Sequence, residues 1–286
     1  MKRFLDTLLF APASRRSLVA TRVIVAACTL WLVLSRPMLW AVAGWPRQMY
    51  PLQHKPFLLR FGLLLVPARV EHALYLALPL LLIAVLFGFA TRYAAIAASI
   101  LLYHFAPFEE VFSGLHSNGV AGFAFPTLAL IALAFAEYND GDQSREYRWP
   151  IVFVQSLLAF QYLGGGLSKL RFTGIRWYRG ENILLTMKEM ATLTTASWAD
   201  AAASSLVIAW TITIATMALE FLFPLAVVSR RARWILVPAA AVAVFLRAKI
   251  YGFNTLSAPL LLLFVNWDWV LDHVTLRRTQ PVTATE

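Results

Sequence analysis

The 286-residue chain is 60% hydrophobic and 14% charged, with a mean hydropathy of +0.67 and a net charge of +10. That balance describes a chain dissolved in lipid rather than in water, and it excludes an ordinary soluble domain. The only thiol is Cys28, which excludes a dithiol relay, because disulfide exchange needs at least a Cys-x-x-Cys pair.

A hydrocarbon core of roughly 30 Å asks for about 20 apolar residues per helix, and such windows recur along the whole chain. They predict one all-α membrane domain over 1–286, a polytopic helical bundle of about eight transmembrane helices with interfacial helices in its long loops. The predicted spans are 17–35, 72–90, 92–108, 119–136, 149–168, 204–227, 233–250 and 256–271.

In chain order, residues 1–16 read as an amphipathic lead-in lying in the interface. Ser14, Arg15, Arg16, Ser17 and Leu18, with Ala41, Val42 and Ala43 further on, imitate a twin-arginine export signal. The apolar run between them is flanked by Trp31 and Trp40 and followed by many more spans, so it reads as a first transmembrane helix. The third span follows the second after only Phe89 to Thr91 and is shortened by Pro107, so seven and eight spans both fit. The connections 36–71 and 169–203 carry Trp40, Trp45, Trp177, Leu184, Leu185, Met187 and Met190, a composition that predicts short interfacial helices roofing a cavity. Residues 273–286 form a tail.

With the N-terminus inside, Lys2, Arg3, Arg15, Arg16, Arg92, Arg145, Arg148, Arg230, Arg231, Arg233, Arg277 and Arg278 share the cytoplasmic face. Both termini are then cytoplasmic in a multi-pass protein of the cell membrane. Basic residues are spread over both faces instead of one domain, which argues against nucleic acid and for anionic membrane lipids as their partners. No protein partner is named by the sequence. The chain shows no internal repeat, which disfavours a carrier.

The histidines His54, His72, His104, His116 and His273 lack the same-face pairing of a bis-histidine haem or a His-x-x-x-His metal site. His104, Glu109, Glu110 and His116 offer a possible imidazole and carboxylate set, against which stands the plainer reading of a solvated loop face. No metal is expected.

The fifth span concentrates the chemistry. Gln155, Tyr162 and Lys169 are seven residues apart and share one helical stripe, with Gln161 and Ser168 on the neighbouring one. Gly164, Gly165 and Gly166 strip side chains from the helix just before the lysine, which permits close helix contact or admits a flat ligand. The plainer reading is a packing seam with Lys169 snorkelling to the interface. In the sixth span Glu220 shares a face with Trp210, Thr213, Met217 and Pro224, and an intramembrane carboxylate needs a partner. Lys169, Arg22 and Arg247 are the cations available.

Gln155, Tyr162, the stretch Gly164 to Lys169, Leu170, Trp177 and Gly180 together resemble the motif of the HTTM family. This is the horizontally transferred transmembrane domain related to vitamin K-dependent gamma-carboxylase. Glu220 resembles that family's acidic residue in a later helix, His116 and Ser117 its Asn-His-Ser segment, and Asn254 its last motif. The resemblance implies a lysine base acting on a reduced quinone, with Lys169 in that position, Glu220 and His116 as supporting catalytic groups, and a quinol-like lipid as substrate. Gln155, Gln161, Tyr162, Gly164, Gly165, Gly166 and Trp177 would bind and orient it. Such chemistry needs an amine kept away from water. The carboxylase's large further domain has no counterpart in these residues, nor has the histidine near the last motif, at 247–253, so glutamate carboxylation is not expected. Some smaller relatives are accessories of peptide maturation or export, which leaves a non-catalytic scaffold as the second reading.

Overall fold

The computed structural model describes residues 2–36, 66–112, 119–136, 138, 141–174, 180, 181, 183–185, 188, 205–251 and 257–278. Apart from a pair of two-residue strands, its elements are helices. They fall into two compact units, Met1–Val154 with Val265–Glu286, and Gln155–Phe264.

The first unit opens with α1 (Lys2–Phe10), β1 (Ala13–Ser14) and α2 (Arg15–Leu34). Ser14 is extended, and its hydroxyl accepts from the Ser17 amide at 3.0 Å, so α2 starts with a satisfied N-cap. Leu18, Val25 and Leu32, seven residues apart, are buried on one stripe of α2. Next come α3 (Ala68–Phe87), α4 (Thr91–Phe112), α5 (Gly119–Ala134) and β2 (Gln143–Ser144). The strands pair antiparallel, Ala13 with Ser144 and Ser14 with Gln143. The last helix of this unit, α11 (Trp267–Arg278), is fastened to the start of α2. There Ser14 Oγ donates to Asp268, Ser17 Oγ donates to Asp268 at 3.3 Å, and Arg16 pairs with Asp272 at 2.8 Å.

Helix α4 lies closest against α5, with α2 against α3 and α3 against α4. The small residues Ala94, Ala95, Ala98 and Ser99 on α4 are all buried. Ser99 Oγ is 2.7 Å from the carbonyl of Ala95 and 3.3 Å from that of Thr127 on α5. Helices α3 and α4 are joined through Gly88, at φ +82°, and Ala90, at φ 43°.

Helix α6 (Arg148–Thr173) begins in the first unit and continues in the second. The second unit also holds α7 (Leu206–Leu222), α8 (Leu225–Val228), α9 (Arg230–Tyr251), α10 (Ser257–Leu260) and a 3₁₀ turn (Leu261–Phe264).

Among the described residues three helices are long and apolar enough to cross a membrane: Arg15–Leu34, Ala68–Phe87 and Arg148–Arg171. They coincide with the first, second and fifth predicted spans. Phe123–Ala134 and Leu206–Leu222 are shorter apolar helices within the fourth and sixth. Two predicted spans are interrupted. The one at 204–227 breaks at Pro224, which has no amide to continue the ladder and instead starts α8. The one at 256–271 consists of α10, the 3₁₀ turn and the start of α11. The Leu263 carbonyl is taken by a side chain from α6, and Asn266 Oδ1 accepts from the Trp269 amide at 3.3 Å to begin a new helix. The connection 37–65 and most of 175–204 lie outside the described residues, as do His54, Trp40 and Trp45.

Gly88 suits the α3–α4 turn because its φ of +82° is a left-handed conformation that strains any side chain, and an added Cβ would also displace the end of the Arg22 side chain, 2.9 Å away. Gly88→Ala is expected to lower stability by about 1–2 kcal/mol, read from denaturation of the purified protein in detergent; unchanged unfolding would contradict this turn.

Candidate functional site

The site is built from α6 and α7 within the second unit. Glu220 is 9% exposed and sits on the face of α7 that also buries Thr213 and Met217. Trp210, assigned to the same face, is half exposed, so the buried stripe begins one turn later. A carboxylate so placed needs a cation, and it has one: Lys169 Nζ donates to Glu220 Oε1. The lysine side chain keeps 24% exposure and the glutamate 11%, so the amine reaches in from the more exposed side. Arg22 belongs to the first unit and lies over the Tyr138 ring; the Arg247 side chain is outside the described residues.

The glycines explain how the two charges meet. A Cβ on Gly165 would stand 3.6 Å from Glu220 Oε1, in ordinary contact. One on Gly166 would come within 3.2 Å of the Phe221 ring and 3.3 Å of the Glu220 Cβ, so this position holds the tightest approach. Gly164 has nothing within 4 Å and is exposed, so two of the three expected glycines face the pair and the third does not.

The polar stripe is real but long. Gln155 and Lys169 are separated by about 21 Å of helix, with Tyr162 midway, so they cannot grip one small ligand together. Gln155 is buried and donates from Nε2 to the Leu263 carbonyl at 2.7 Å, anchoring the 3₁₀ turn. Tyr162 stacks on Phe223 with centroids 4.2 Å apart; Phe223 meets Phe264 edge-on at 5.4 Å, and Arg233 lies 5.6 Å over Phe264. Gln161 and Ser168 are exposed. His116, Trp177 and Asn254 lie outside the described residues. Gly180 is described. It is buried at φ +71°, where a Cβ would meet the Trp210 backbone nitrogen at 2.7 Å, so this motif glycine serves close backbone packing on α7.

Glu220 is only half satisfied. Its Oε2 is buried and has no hydrogen-bond partner among the described residues. The pair therefore presents an acceptor oxygen beside glycine backbone, able to take a hydrogen bond or a proton from a ligand hydroxyl.

A second buried pair, unforeseen from the sequence, lies within the first unit. Glu71, 2% exposed, accepts or shares a proton with His104 Nε2 at 2.8 Å, and its Oε2 is likewise without a partner among the described residues. His104 thus faces α3; the side chains of Glu109 and Glu110, and His116, lie outside the described residues. The one sequence signal was Glu71 opening an apolar run; pairing it with a residue 33 positions on required the α3–α4 hairpin.

Comparison of the chain with family models, with curated proteins and with solved structures gives no match.

Removing one member of the Lys169–Glu220 pair strands the other. Lys169→Met is expected to destabilise by about 3 kcal/mol, while Lys169→Met with Glu220→Leu recovers most of that loss; a cycle showing simple additivity would deny the coupling.

Proposed function

We propose that the chain is a multi-pass protein of the cell membrane, of the HTTM type, that binds a hydroxyl-bearing lipid-soluble molecule of the quinol class at Lys169 and Glu220 and moves a proton there. The observation that carries this reading is the buried, unpartnered Oε2 of Glu220 beside the glycine seam, in a pair already held by Lys169. Three helices of spanning length support the membrane assignment, as do large apolar side chains exposed along their flanks, such as Trp31, Leu80 and Phe160. In the full reading the remaining helices complete about eight spans, with both termini cytoplasmic.

The chemistry is charge-neutral. The ligand hydroxyl donates to Glu220 Oε2 and its proton passes to the carboxylate; the Lys169 ammonium then turns from the neutralised acid to the ligand oxyanion. One ion pair replaces another, so no net charge is created in a low-dielectric site. Lys169 is the expected catalytic amine, now working through its carboxylate partner. Tyr162, midway along the stripe, offers an aromatic wall about 10 Å away, and Gln155 acts by holding the turn.

The closed pair favours a second reading, because it ties α6 to α7 without any ligand. In that case the protein is a scaffold for lipid or for a partner in peptide maturation or export, and the charges serve only cohesion.

Mass spectrometry of lipids carried through purification is expected to find a quinone or quinol with the wild-type protein. Glu220→Gln keeps shape and can still accept from Lys169 but cannot take up a proton; with activity in the native host normalised to protein abundance, it should lower activity by about a hundredfold. Lys169→Gln should also lose activity, since it leaves the ligand oxyanion without a cation, whereas Lys169→Arg keeps the charge and should retain part of the activity. If Glu220→Gln is fully functional, or if the variants change abundance alone, the proton-transfer reading fails and the scaffold stands.

A further inference from the structure

We propose that an open cavity of about 490 Å³ in the first unit, at the end where α2 and α4 begin and α3 finishes, binds a phosphate-type anion, as an anionic lipid headgroup or as inorganic phosphate. The site is separate from Lys169 and Glu220 and does not depend on the reading given to them.

Three guanidinium-bearing residues line the cavity. Arg15 and Arg22 are seven residues apart on one stripe of α2, and Arg92 comes from the first turn of α4. No Asp or Glu is among the described residues that line it. Neither α2 nor α4 has an acidic residue in its first turn, so arginines at both N-termini oppose the positive ends of the helix dipoles. Asp268 and Asp272 of α11 serve Ser14, Ser17 and Arg16 at the start of α2 and do not line the cavity, so an anion within it would meet the guanidinium groups themselves.

Arg22 is held in place. Its guanidinium lies 5.5 Å over the Tyr138 ring, and the Gly88 backbone approaches so closely that a Cβ would fall 2.9 Å from both terminal nitrogens. Its Nε is buried and has no acceptor among the described residues. A fork fixed in this way suits a multi-oxygen anion better than a mobile lysine would. Burial pushes the Tyr138 hydroxyl up to about 12, with the adjacent Arg22 offsetting part of the rise, so the phenol remains a neutral donor at pH 7.

The mouth of the cavity favours a lipid source. Phe87 and Tyr93 line it and stand 79% and 77% exposed, aromatic side chains at the ends of spanning-length and neighbouring helices where acyl chains meet headgroups. Basic pockets between helix ends on the face expected to be cytoplasmic are suited to anionic lipid.

The test uses the full chain purified in neutral detergent. Thermal stability is followed on adding inorganic phosphate, phosphatidylglycerol or phosphatidylcholine, and affinities are compared for wild type, Arg22→Gln with Arg92→Gln, Arg22→Lys, and the outlying control Arg16→Gln. Stabilisation by phosphatidylglycerol but not phosphate identifies a headgroup; stabilisation by phosphate alone identifies the free anion. In either case the double variant should bind about tenfold or more weakly, Arg22→Lys should fall between it and wild type, and Arg16→Gln should match wild type. If the double variant does not fold, Arg22→Lys carries the comparison. Equal affinity in wild type and the cavity variants, equal weakening by Arg16→Gln, or no preference for an anion over phosphatidylcholine would overturn the proposal.

Discussion

Within the second unit, the candidate site rests on one ion pair formed where ions are expensive. Taking a carboxylate and an ammonium out of water costs several kcal/mol each, and only close geometry returns that cost. The geometry here is set by absence of side chains: Gly165 and Gly166 bring the backbone of α6 to the carboxylate of Glu220, and Lys169 closes the contact from the more exposed side. A side chain at Gly166 would press on Phe221 and the Glu220 Cβ, whereas one at Gly165 would start in ordinary contact with the carboxylate.

The same principle recurs in the first unit, with different partners. Glu71 and His104 form a buried pair across α3 and α4, whose hairpin turn depends on Gly88. Gly88 also makes room for the Arg22 guanidinium, so a single unbranched position serves both the turn and the electrostatics around it. In both units a buried carboxylate retains one oxygen without a donor among the described residues. Such atoms are destabilising by about 1–3 kcal/mol and call for an explanation in ligand or proton chemistry.

The arrangement also separates positioning from chemistry along α6. Gln155 looks on paper like part of the lysine's stripe, yet its hydrogen bond to the Leu263 carbonyl makes it a brace for the 3₁₀ turn. Tyr162 belongs to an aromatic column through Phe223 and Phe264 to Arg233. These contacts stiffen the unit around the pair.

Composition and periodicity by themselves determined the helical class, the three longest apolar helices, the seven-residue stripe on α6 and the pairing of two opposite charges in apolar surroundings. These are properties of local pattern, since a helix places residues i and i+7 on one side whatever surrounds it. Only the tertiary structure decided that Glu220 takes Lys169 and not Arg22, that Gly164 stands apart from Gly165 and Gly166, and that His104 turns to Glu71. It also decided that the stretch at 256–271 is not one helix, because a side chain from α6 claims a carbonyl that continued helix would have used. Partner choice between residues distant in sequence depends on how helices cross and rotate, and an apolar pattern that permits several crossings does not select one.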